Sequence, residues 1–522
     1  MDTEGGGPGP GGERLSVTTT RNALYSLASW FLPMLVSLLA VPYLFKKLGD
    51  EGFGILALAM LFMGYLALLD LGLRDAIMKF IGEHMRRAEQ DEVLAVAGTA
   101  AGAYVMAAGL GGCVLGAISG PLVRHVIHAS EALSHAAIVS FRIAAAGFFI
   151  HMLLVGCGAF LQGAGRFGVT GRIAVANNIG ATVATVGLLY LGYGLVEAVM
   201  AQFVIRALSL FAAILACRSV VPIAALRPRW DRQRLRRLIG FGRFTLVSRL
   251  VFQAVYQADR LVIGAMLGAA VMGVYQVPAQ ISAHVSAPAI QLGVVLLPLV
   301  SGMAAATEAQ TVVQTYVRAA RILALVALGV GAVTAGLARP FLEVWMGRDF
   351  ARLGWAVLAC LAVARAIHAA PVGLSYVTQA VGEPQLDAFY QVTAGCVVAA
   401  LLYPFTKVWG IYGTALAVLA GPLVATPLFF LSVRKRLPEL VRVKRMWQVF
   451  GAPGLCAGLT FGVAWYAGRY ATDWPTLAAA ALAAATVLVA SAMLLGVLSG
   501  EDRKTLRGVL LIGLQSAGRR GR

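Results

Sequence analysis

The sequence predicts an all-α polytopic membrane protein with about 14 transmembrane helices, arranged as two pseudo-symmetric six-helix lobes followed by two C-terminal helices. Composition supports membrane insertion, because 59% of the residues are hydrophobic, only 13% are charged and the mean hydropathy is +0.79. The two lobes are inferred from short motifs that recur at a nearly constant offset in the two halves of the chain.

Each transmembrane helix requires about 20 predominantly apolar residues to cross the hydrocarbon layer. The prediction places these helices at 23–43, 53–70, 93–115, 138–160, 172–191, 195–217, 242–265, 272–300, 319–338, 353–378, 388–407, 410–432, 449–468 and 476–498. The end of the second helix is the least sharply defined by the sequence, because charged residues follow there, namely Asp70, Arg74 and Asp75. Prolines inside the first and eighth helices are candidate bend points, namely Pro33, Pro42, Pro278, Pro288 and Pro298.

Three short motifs recur in the same order in the two halves of the chain. Leu-Gly-x-x-x-x-Gly occurs at 48–54 and 267–273, x-Gln-x-x-Gly at 161–165 and 378–382, and aromatic-Gly-aliphatic at 193–195 and 409–411. The offsets are 219, 217 and 216 residues, so one duplication accounts for all three. Each copy holds six predicted helices, an even number, so both copies have the same orientation and are related by an axis along the membrane normal. Such repeats are typical of transporters.

The repeat and the charged segments together predict the domain boundaries. These are a disordered tail at 1–20, an N-lobe at 21–218, a basic linker at 219–241, a C-lobe at 242–433, a basic loop at 434–448, two further helices at 449–498 and a tail at 499–522. The N-terminal tail is rich in Gly and Pro and lacks the basic start of a secretory signal. The last two helices lie outside the repeat and are predicted to be an appendage.

Lysine and arginine are distributed unequally between the two sides of the membrane. When Arg172 and Lys407 at the helix ends are included, the connections that follow even-numbered helices hold 20 of these residues, whereas those that follow odd-numbered helices hold 8. Because basic residues are retained on the cytoplasmic side, the even connections and both termini are predicted to be cytoplasmic. This asymmetry accounts for most of the net charge of +19, so we predict contacts with anionic membrane lipids and no binding of nucleic acid.

Several classes of site have no counterpart in the sequence. There is no Gly-x-x-x-x-Gly-Lys-Ser/Thr motif for a nucleotide phosphate. The six cysteines lie in or at the ends of predicted helices without a Cys-x-x-Cys spacing, so neither a zinc site nor a disulfide framework is predicted. No loop is long enough for a soluble catalytic domain. We therefore expect no cofactor, no metal and no catalytic residues, and the chain is predicted not to be an enzyme.

Polar side chains inside the predicted helices carry the functional signal, because ionisable groups are costly within a bilayer. The seventh helix places Arg249, Gln253 and Tyr256 at spacings of four and three, which is one helical face. The eighth helix places Gln280 and His284 one turn apart. We expect both stripes to face an aqueous cavity.

The remaining candidates extend this predicted cavity. Arg365 and His368 lie three residues apart in the tenth helix, and Arg74 follows the second helix. Because Arg and His outnumber carboxylates at these depths, the cavity is predicted to bind an anion, for which the bidentate geometry of Arg is suited.

A few acidic residues are candidates for coupling transport to a proton or cation gradient. These are Asp259, Glu197 and Glu343. The first helix, at 23–43, contains no carboxylate, which disfavours a cation-coupled drug exporter.

The motifs at 48–54 and 69–73 together resemble the N-terminal signature of polysaccharide-export flippases of the Wzx type, the O-antigen and exopolysaccharide transporters. Residues 160–167 and the region from 259 to 275 are also similar to this family, which belongs to the multidrug/oligosaccharidyl-lipid/polysaccharide exporter superfamily. The resemblance covers about residues 15–435. It implies a two-lobed, fourteen-helix protein with a cationic lumen.

The resemblance also implies a function. Members of the family move an undecaprenyl-pyrophosphate-linked oligosaccharide from the cytoplasmic to the periplasmic leaflet of the bacterial inner membrane by alternating access. A downstream polysaccharide polymerase is then an expected partner, and a monomer is the expected state. No ligand motif of the family matches this chain residue by residue, so the site residues named above rest on helix position.

Alternative functions remain open at the level of sequence. A lipid II flippase of the same superfamily would share the anionic cargo, and a multidrug antiporter is disfavoured by the first helix. A membrane-embedded glycan polymerase belongs to a different class, and the internal repeat and the lack of a large extracytoplasmic loop count against it.

Overall fold

A computed structural model describes residues 10–66, 72–87, 89–127, 129–221, 228–293 and 309–498. These residues are almost entirely helical, and no strand occurs among them. The all-α membrane fold predicted from the sequence is confirmed. The chain divides into two compact units, unit 1 with residues 1–250 and Gly268–Gly273, and unit 2 with Val251–Leu267 and the residues from Val274 onward.

The helices follow one another with short connections. In chain order they are α1 (Pro10–Leu66), α2 (Leu73–Arg86), α3 (Gln90–Pro121), α4 (Glu131–Gly163), α5 (Phe167–Tyr190), α6 (Leu195–Cys217), α7 (Arg232–Gly293), α8 (Ala309–Gly336), α9 (Ala338–Met346), α10 (Arg348–Ala369), α11 (Val372–Ala380), α12 (Pro384–Arg436), α13 (Val443–Met446), α14 (Ala452–Gly468) and α15 (Trp474–Leu494). Short π-helical segments continue α3 to Ile127 and join α13 to α14.

Three of the long helices are interrupted by a glycine with non-helical backbone angles. These breaks lie at Gly49 in α1, Gly268 in α7 and Gly410 in α12. Eleven helical segments among the described residues are long and apolar enough to cross a membrane, and three of them contain one of these breaks. Division of these three segments at their glycines gives fourteen helical pieces among the described residues, the same number as the predicted transmembrane helices.

Left-handed glycines mark corresponding places in the two copies of the repeat. Gly49 and Gly268 have φ of 71° and 85°, and Gly165 and Gly382 have φ of 76° and 87°. Only glycine adopts these angles without strain, so the first two motifs encode the same turn in each copy. In the third motif the left-handed residue is Gly192 in one copy and Gly410 in the other, so the turn itself is shifted by two residues against the sequence match.

Within unit 1, the second glycine of the first motif allows an unusually close backbone approach. A Cβ atom built on Gly54 would lie 1.8 Å from the carbonyl oxygen of Ala269, and one built on Gly273 would lie 2.0 Å from the carbonyl oxygen of Asp50. Any side chain at either position would collide with the opposite backbone. The Leu-Gly-x-x-x-x-Gly motif therefore combines a turn at its first glycine with a helix contact at its second.

The segment before α7 is attached to α3 inside unit 1. The backbone N–H of Arg229 donates to the carbonyl oxygen of Gly98 at 3.0 Å. The guanidinium of Arg234 donates to both carboxylate oxygens of Glu92, at 3.2 and 2.7 Å. Asp231 caps α7 by accepting hydrogen bonds from the backbone N–H groups of residues 233 and 234.

In unit 2, the last two helices pack closely on α8. Gly336 of α8 approaches Ala464 of α14 so closely that an added Cβ would lie 2.6 Å from the Ala464 Cβ. Buried apolar side chains from these helices form two clusters, one around Leu325 and Cys456 and one around Leu337 and Ala464. The last two helices are therefore an integral part of the core of unit 2 and not the appendage predicted from the sequence.

Several local predictions differ from the structure. Pro33, Pro42, Pro278 and Pro288 lie inside α1 and α7, and the breaks with non-helical backbone angles occur at Gly49 and Gly268 in addition to these predicted bend points. Residues 10–20 of the predicted disordered tail are helical, since α1 begins at Pro10. The connection that follows the second predicted helix contains a helix, α2. The helix α7 begins at Arg232, directly after its cap Asp231 and ten residues before the predicted start at 242. Pro298, Asp70 and residues 1–9 and 499–522 lie outside the described residues.

Candidate functional site

Unit 1 contains a polar cavity of about 310 Å³. It is lined by side chains of α2, α4, α5 and α6. The polar members are Arg74, His151, Gln162, Thr170, Asn177, Asn178 and Arg206. Among the described residues that line this cavity, none is acidic. The cavity therefore combines two guanidinium groups with amide, imidazole and hydroxyl groups that can form hydrogen bonds.

The turns at the helix ends place these side chains. Gly72, with φ of 72°, precedes α2 and sets Arg74 in its first turn. The Arg74 Nη2 atom donates to the Gln162 Oε1 atom at 3.2 Å. Gln162 lies in the last turn of α4, shortly before the left-handed Gly165. The second motif of the repeat thus fixes one wall of the cavity.

A second hydrogen bond fixes the opposite wall. The hydroxyl of Ser209 on α6 donates to the Oδ1 atom of Asn177 on α5 at 3.2 Å. This bond orients the Asn177 amide and holds α5 against α6, the helix that carries Arg206. Arg, Asn and Gln side chains held in this way provide donors for phosphate oxygens and for sugar hydroxyls.

Unit 2 contains a much smaller cavity, of about 30 Å³, which is room for roughly one water molecule. Asp259, Arg365 and His368 contribute its polar lining. Asp259 is only 2% exposed, and its Oδ2 atom accepts a hydrogen bond from the Tyr275 hydroxyl at 2.7 Å. A buried carboxylate and a guanidinium therefore share one small space with an imidazole.

The His368 ring is held by a neighbouring aromatic side chain. The rings of His368 and Tyr390 stack with centroids 5.2 Å apart, and the Tyr390 hydroxyl donates to the His368 carbonyl oxygen at 3.1 Å. Tyr390 belongs to the main apolar cluster of unit 2, together with Phe429 and Tyr316. His368 is thus fixed between the core and the small cavity.

The structure places the predicted site residues at different locations. Arg365, His368 and Asp259 line one cavity in unit 2, whereas Arg74 lines the cavity of unit 1. Gln280 and His284 lie partly buried on α7 and do not line the small cavity. The side chains of Arg249, Gln253 and Tyr256 lie outside the described part of the structure.

The two other candidate coupling residues have local partners. The Glu197 carboxylate accepts a hydrogen bond from the backbone N–H of Gly194 at 2.9 Å and forms part of the N-terminal cap of α6. Glu343 accepts a hydrogen bond from the Arg339 Nε atom at 2.8 Å on α9. Neither residue lines the two cavities described above.

Sequence reasoning missed His151, Arg206 and the two asparagines of the unit 1 cavity. His151 lies 217 residues before His368, which is the offset of the second motif. Applying that offset to His368 would have identified His151 as its counterpart. Arg206 lacks such a signal, because it is an isolated cation in the strongly apolar α6. Among the described residues, no group of three or more His, Cys, Asp or Glu is arranged to hold a metal ion.

Comparison with known proteins gives consistent results. Residues 19–304 match a family model described as "Polysaccharide biosynthesis protein". The chain is 22% identical over 401 residues to a putative O-antigen transporter of Shigella flexneri, an alignment that covers 76% of this chain and 93% of that protein.

Two solved structures share the fold. The lipid II flippase MurJ in an inward closed conformation superposes with a TM-score of 0.69 at 12% identity, over 91% of this chain and 98% of that one. An inward-facing multidrug resistance MATE family transporter of the MOP superfamily gives a TM-score of 0.64 at 18% identity, over 80% and 98%.

Proposed function

Because the chain belongs to the polysaccharide biosynthesis protein family, we propose that it moves an undecaprenyl-pyrophosphate-linked oligosaccharide across the bacterial inner membrane. Family, relatives and fold support the coarser statement that it is a multi-pass membrane transporter of the flippase type. The identity of the cargo, the inner membrane and the cytoplasmic location of both termini are parts of our proposal.

The observation that carries the proposal is the polar cavity of unit 1. A glycan linked through pyrophosphate combines many hydroxyls with two phosphate charges, and neither part can enter hydrocarbon without compensation. Arg74 and Arg206 provide cationic donors for the pyrophosphate. Asn177, Asn178 and Gln162 provide amides for the sugar hydroxyls.

We propose further contacts to the cargo from residues that the sequence predicts. Arg365 and His368 are cationic or polar groups on α10, and the sequence predicts that Arg249, Gln253 and Tyr256 share one face of their helix. Together with Gln280 and His284 they are proposed to contact the cargo in one or both accessible states. The prenyl tail would remain in the lipid while alternating access transfers the head group.

The energy source is proposed to be an ion gradient or the consumption of the flipped cargo by a downstream polymerase. Asp259 is the best placed of the three coupling candidates, because it is a buried carboxylate that lines the same small cavity as Arg365. We propose that the protein works as a monomer.

Transport can be measured in proteoliposomes with an undecaprenyl-pyrophosphate-linked oligosaccharide and an external glycosidase. Wild-type protein should expose the glycan to the enzyme. The double variant Arg74→Gln and Arg206→Gln should reduce the rate at least about tenfold, since each lost charged hydrogen bond removes roughly 1.5–3 kcal/mol. Arg172→Gln is the matched control, because Arg172 is an exposed arginine of α5 that does not line the cavity.

The outcomes separate the alternatives. Full activity of the double variant would remove the unit 1 cavity from the mechanism, and Arg249→Ala with Arg365→Ala would then test the other two proposed cationic contacts. Exposure of lipid II in place of the oligosaccharide would reassign the cargo. Appearance of polymerised glycan would indicate an enzyme instead of a transporter.

A further inference from the structure

Unit 2 contains another cavity, of about 600 Å³, at the ends of the helices around α9. It is lined by the end of α8, by α9, by the start of α10 and by the end of α14. Its charged and aromatic members are Arg339, Glu343, Arg348, Arg469, Trp355 and Trp465. This cavity is distinct from the small one that Asp259 and Arg365 line.

The charges in this cavity do not balance. Arg339 and Glu343 form an ion pair one turn apart on α9. Arg348 and Arg469 have no carboxylate within ion-pair distance among the described residues. The cavity therefore carries an excess of two positive charges, both on exposed arginines. An anion would neutralise this excess.

Trp465 orients one of these two guanidinium groups. The Arg469 guanidinium lies 3.7 Å from the centroid of the Trp465 ring, which is a cation–π contact. Stacking fixes the plane of the guanidinium and leaves the N–H groups at its edge available. Such an edge presents parallel donors, which match two oxygens of a phosphate.

Aromatic residues around the cavity indicate its depth in the membrane. Trp465 and Trp355 are 51% and 40% exposed, and Tyr470, which follows α14, and Trp474, which begins α15, are 66% and 53% exposed. Exposed Trp and Tyr collect at the level of the lipid head groups. The mouth of the cavity therefore lies at the depth where lipid phosphates occur.

The cavity lies at the end of unit 2 that is opposite the basic segments. α14 crosses the membrane between the basic residues at 434–445 and its last residue, Gly468, which lines the cavity. If the basic segments are cytoplasmic, as the distribution of Lys and Arg predicts, the cavity opens at the extracytoplasmic leaflet.

We propose that this cavity binds the phosphate group of a lipid head group, with Arg348 and Arg469 as its ligands and Trp465 as the support of Arg469. Two sources present this chemistry at the leaflet surface. One is a phospholipid of the bilayer, and the other is the pyrophosphate of the cargo after it has crossed. The first source is independent of the proposed function, whereas the second rests on it.

Isothermal titration in a neutral maltoside detergent can test the site with three probes: dihexanoyl phosphatidylglycerol, farnesyl pyrophosphate and dihexanoylglycerol, which lacks phosphate. The Arg348→Gln and Arg469→Gln double variant is compared with Arg352→Gln, which removes an exposed arginine of α10 that does not line the cavity. All titrations are repeated in the Arg74→Gln and Arg206→Gln background, so that phosphate binding in unit 1 makes no contribution. Thermal unfolding of each variant shows whether the substitution leaves the protein folded.

We expect one or both phosphate probes to bind, dihexanoylglycerol not to bind, and the double variant to weaken binding at least about tenfold while Arg352→Gln stays within about twofold. Binding of phosphatidylglycerol alone assigns the site to bilayer lipid, and binding of farnesyl pyrophosphate alone assigns it to the cargo. Absence of binding by both phosphate probes, or equal losses in the double variant and Arg352→Gln, would overturn the proposal. Neither result would affect transport through the unit 1 cavity, which is tested on other residues.

Discussion

At the residue scale, two hydrogen bonds hold the buried carboxylate of Asp259 in unit 2. Asp259 accepts from the Tyr275 hydroxyl on one oxygen and from the backbone N–H of Arg260 on the other. Tyr275 is itself fully buried, so its hydroxyl has no access to solvent. Both residues lie in the stretch of α7, from 259 to 275, that resembles the flippase family. The buried hydrogen bond between them gives this stretch a structural role.

Tyr275→Phe is expected to lower the stability of the protein. The substitution leaves one oxygen of the buried Asp259 without its donor, and a buried polar group that loses its partner destabilises a fold by about 1–3 kcal/mol. Thermal unfolding in detergent should show a lower midpoint. Tyr316→Phe is the matched control, because the Tyr316 hydroxyl is also buried but has no hydrogen-bond partner among the described residues. An unchanged midpoint for Tyr275→Phe, or an equal loss for both variants, would contradict the argument.

At the element scale, glycines interrupt the long helices and bring helices together. The first motif of the repeat contains a left-handed turn and, five residues later, a contact that excludes a side chain. An Ala at such a contact would ordinarily favour the helix, because Ala has a higher helix propensity than Gly. The sign of the stability change caused by a Gly→Ala substitution therefore distinguishes a glycine in a helix contact from a glycine in open space.

Gly54→Ala is expected to destabilise the protein and Gly109→Ala to be neutral or stabilising. The Cβ at Gly54 would overlap the Ala269 carbonyl oxygen, which belongs to the backbone and cannot rotate away, whereas a Cβ at Gly109 has no neighbour within 4 Å. Overpacking of this kind typically lowers stability by about 1–3 kcal/mol. Thermal unfolding of the two variants provides the comparison, and a loss at Gly109 equal to that at Gly54 would refute it.

The segment before α7 should respond to acid. The backbone N–H of Arg234, and then its guanidinium, lower the pKa of the Asp231 carboxyl below its ordinary value. Because the folded-state pKa is the lower one, the stabilisation is complete above the unfolded value of about 3.9 and is lost as the pH falls through the folded-state value. Attachment of residues 228–234 to α3 should therefore persist at neutral pH and weaken below about pH 4.

Spin labels at Gln90 and Gln233 can report this attachment as a distance distribution. The distribution should be narrow at pH 7 and broaden below about pH 4. Asp231→Asn should broaden the distance distribution already at pH 7. The control is Asp91→Asn, which changes an exposed carboxylate next to Glu92 on α3 and should leave the distribution narrow. A distribution that stays narrow for Asp231→Asn at pH 7 would show that the cap does not hold the segment.

At the scale of the whole molecule, the distribution of basic residues determines the expected orientation. Residues 434–445 concentrate Lys and Arg at one end of unit 2, and the cavity around Arg348 and Arg469 lies at its other end. The direction of the proposed transport and the leaflet of the proposed phosphate site both follow from this orientation.

Thiol labelling in intact cells can measure the orientation directly. In a variant without native cysteines, Tyr470→Cys should react with a membrane-impermeant maleimide from outside, and Trp230→Cys only after the membrane is permeabilised. Both side chains are well exposed, at 66% and 62%, so access and not burial decides the result. The reverse pattern would invert the predicted topology and move the phosphate site to the cytoplasmic leaflet.

The sequence by itself determined the membrane class, the predicted number of helices and the repeated glycine motif in which the left-handed turns at Gly49 and Gly268 occur. These follow from local physics, because an apolar stretch must span hydrocarbon and only glycine takes a left-handed φ without strain. The repeat offset of 217 residues also relates His151 to His368, so the sequence held enough information to identify His151. Tertiary structure alone decided that Arg74 and Arg206 share one cavity, that Asp259 and Arg365 share another, and that α14 and α15 belong to the core of unit 2. Each of those contacts joins residues far apart in the chain, and a helical period specifies which face of a helix is polar but not which neighbour that face meets.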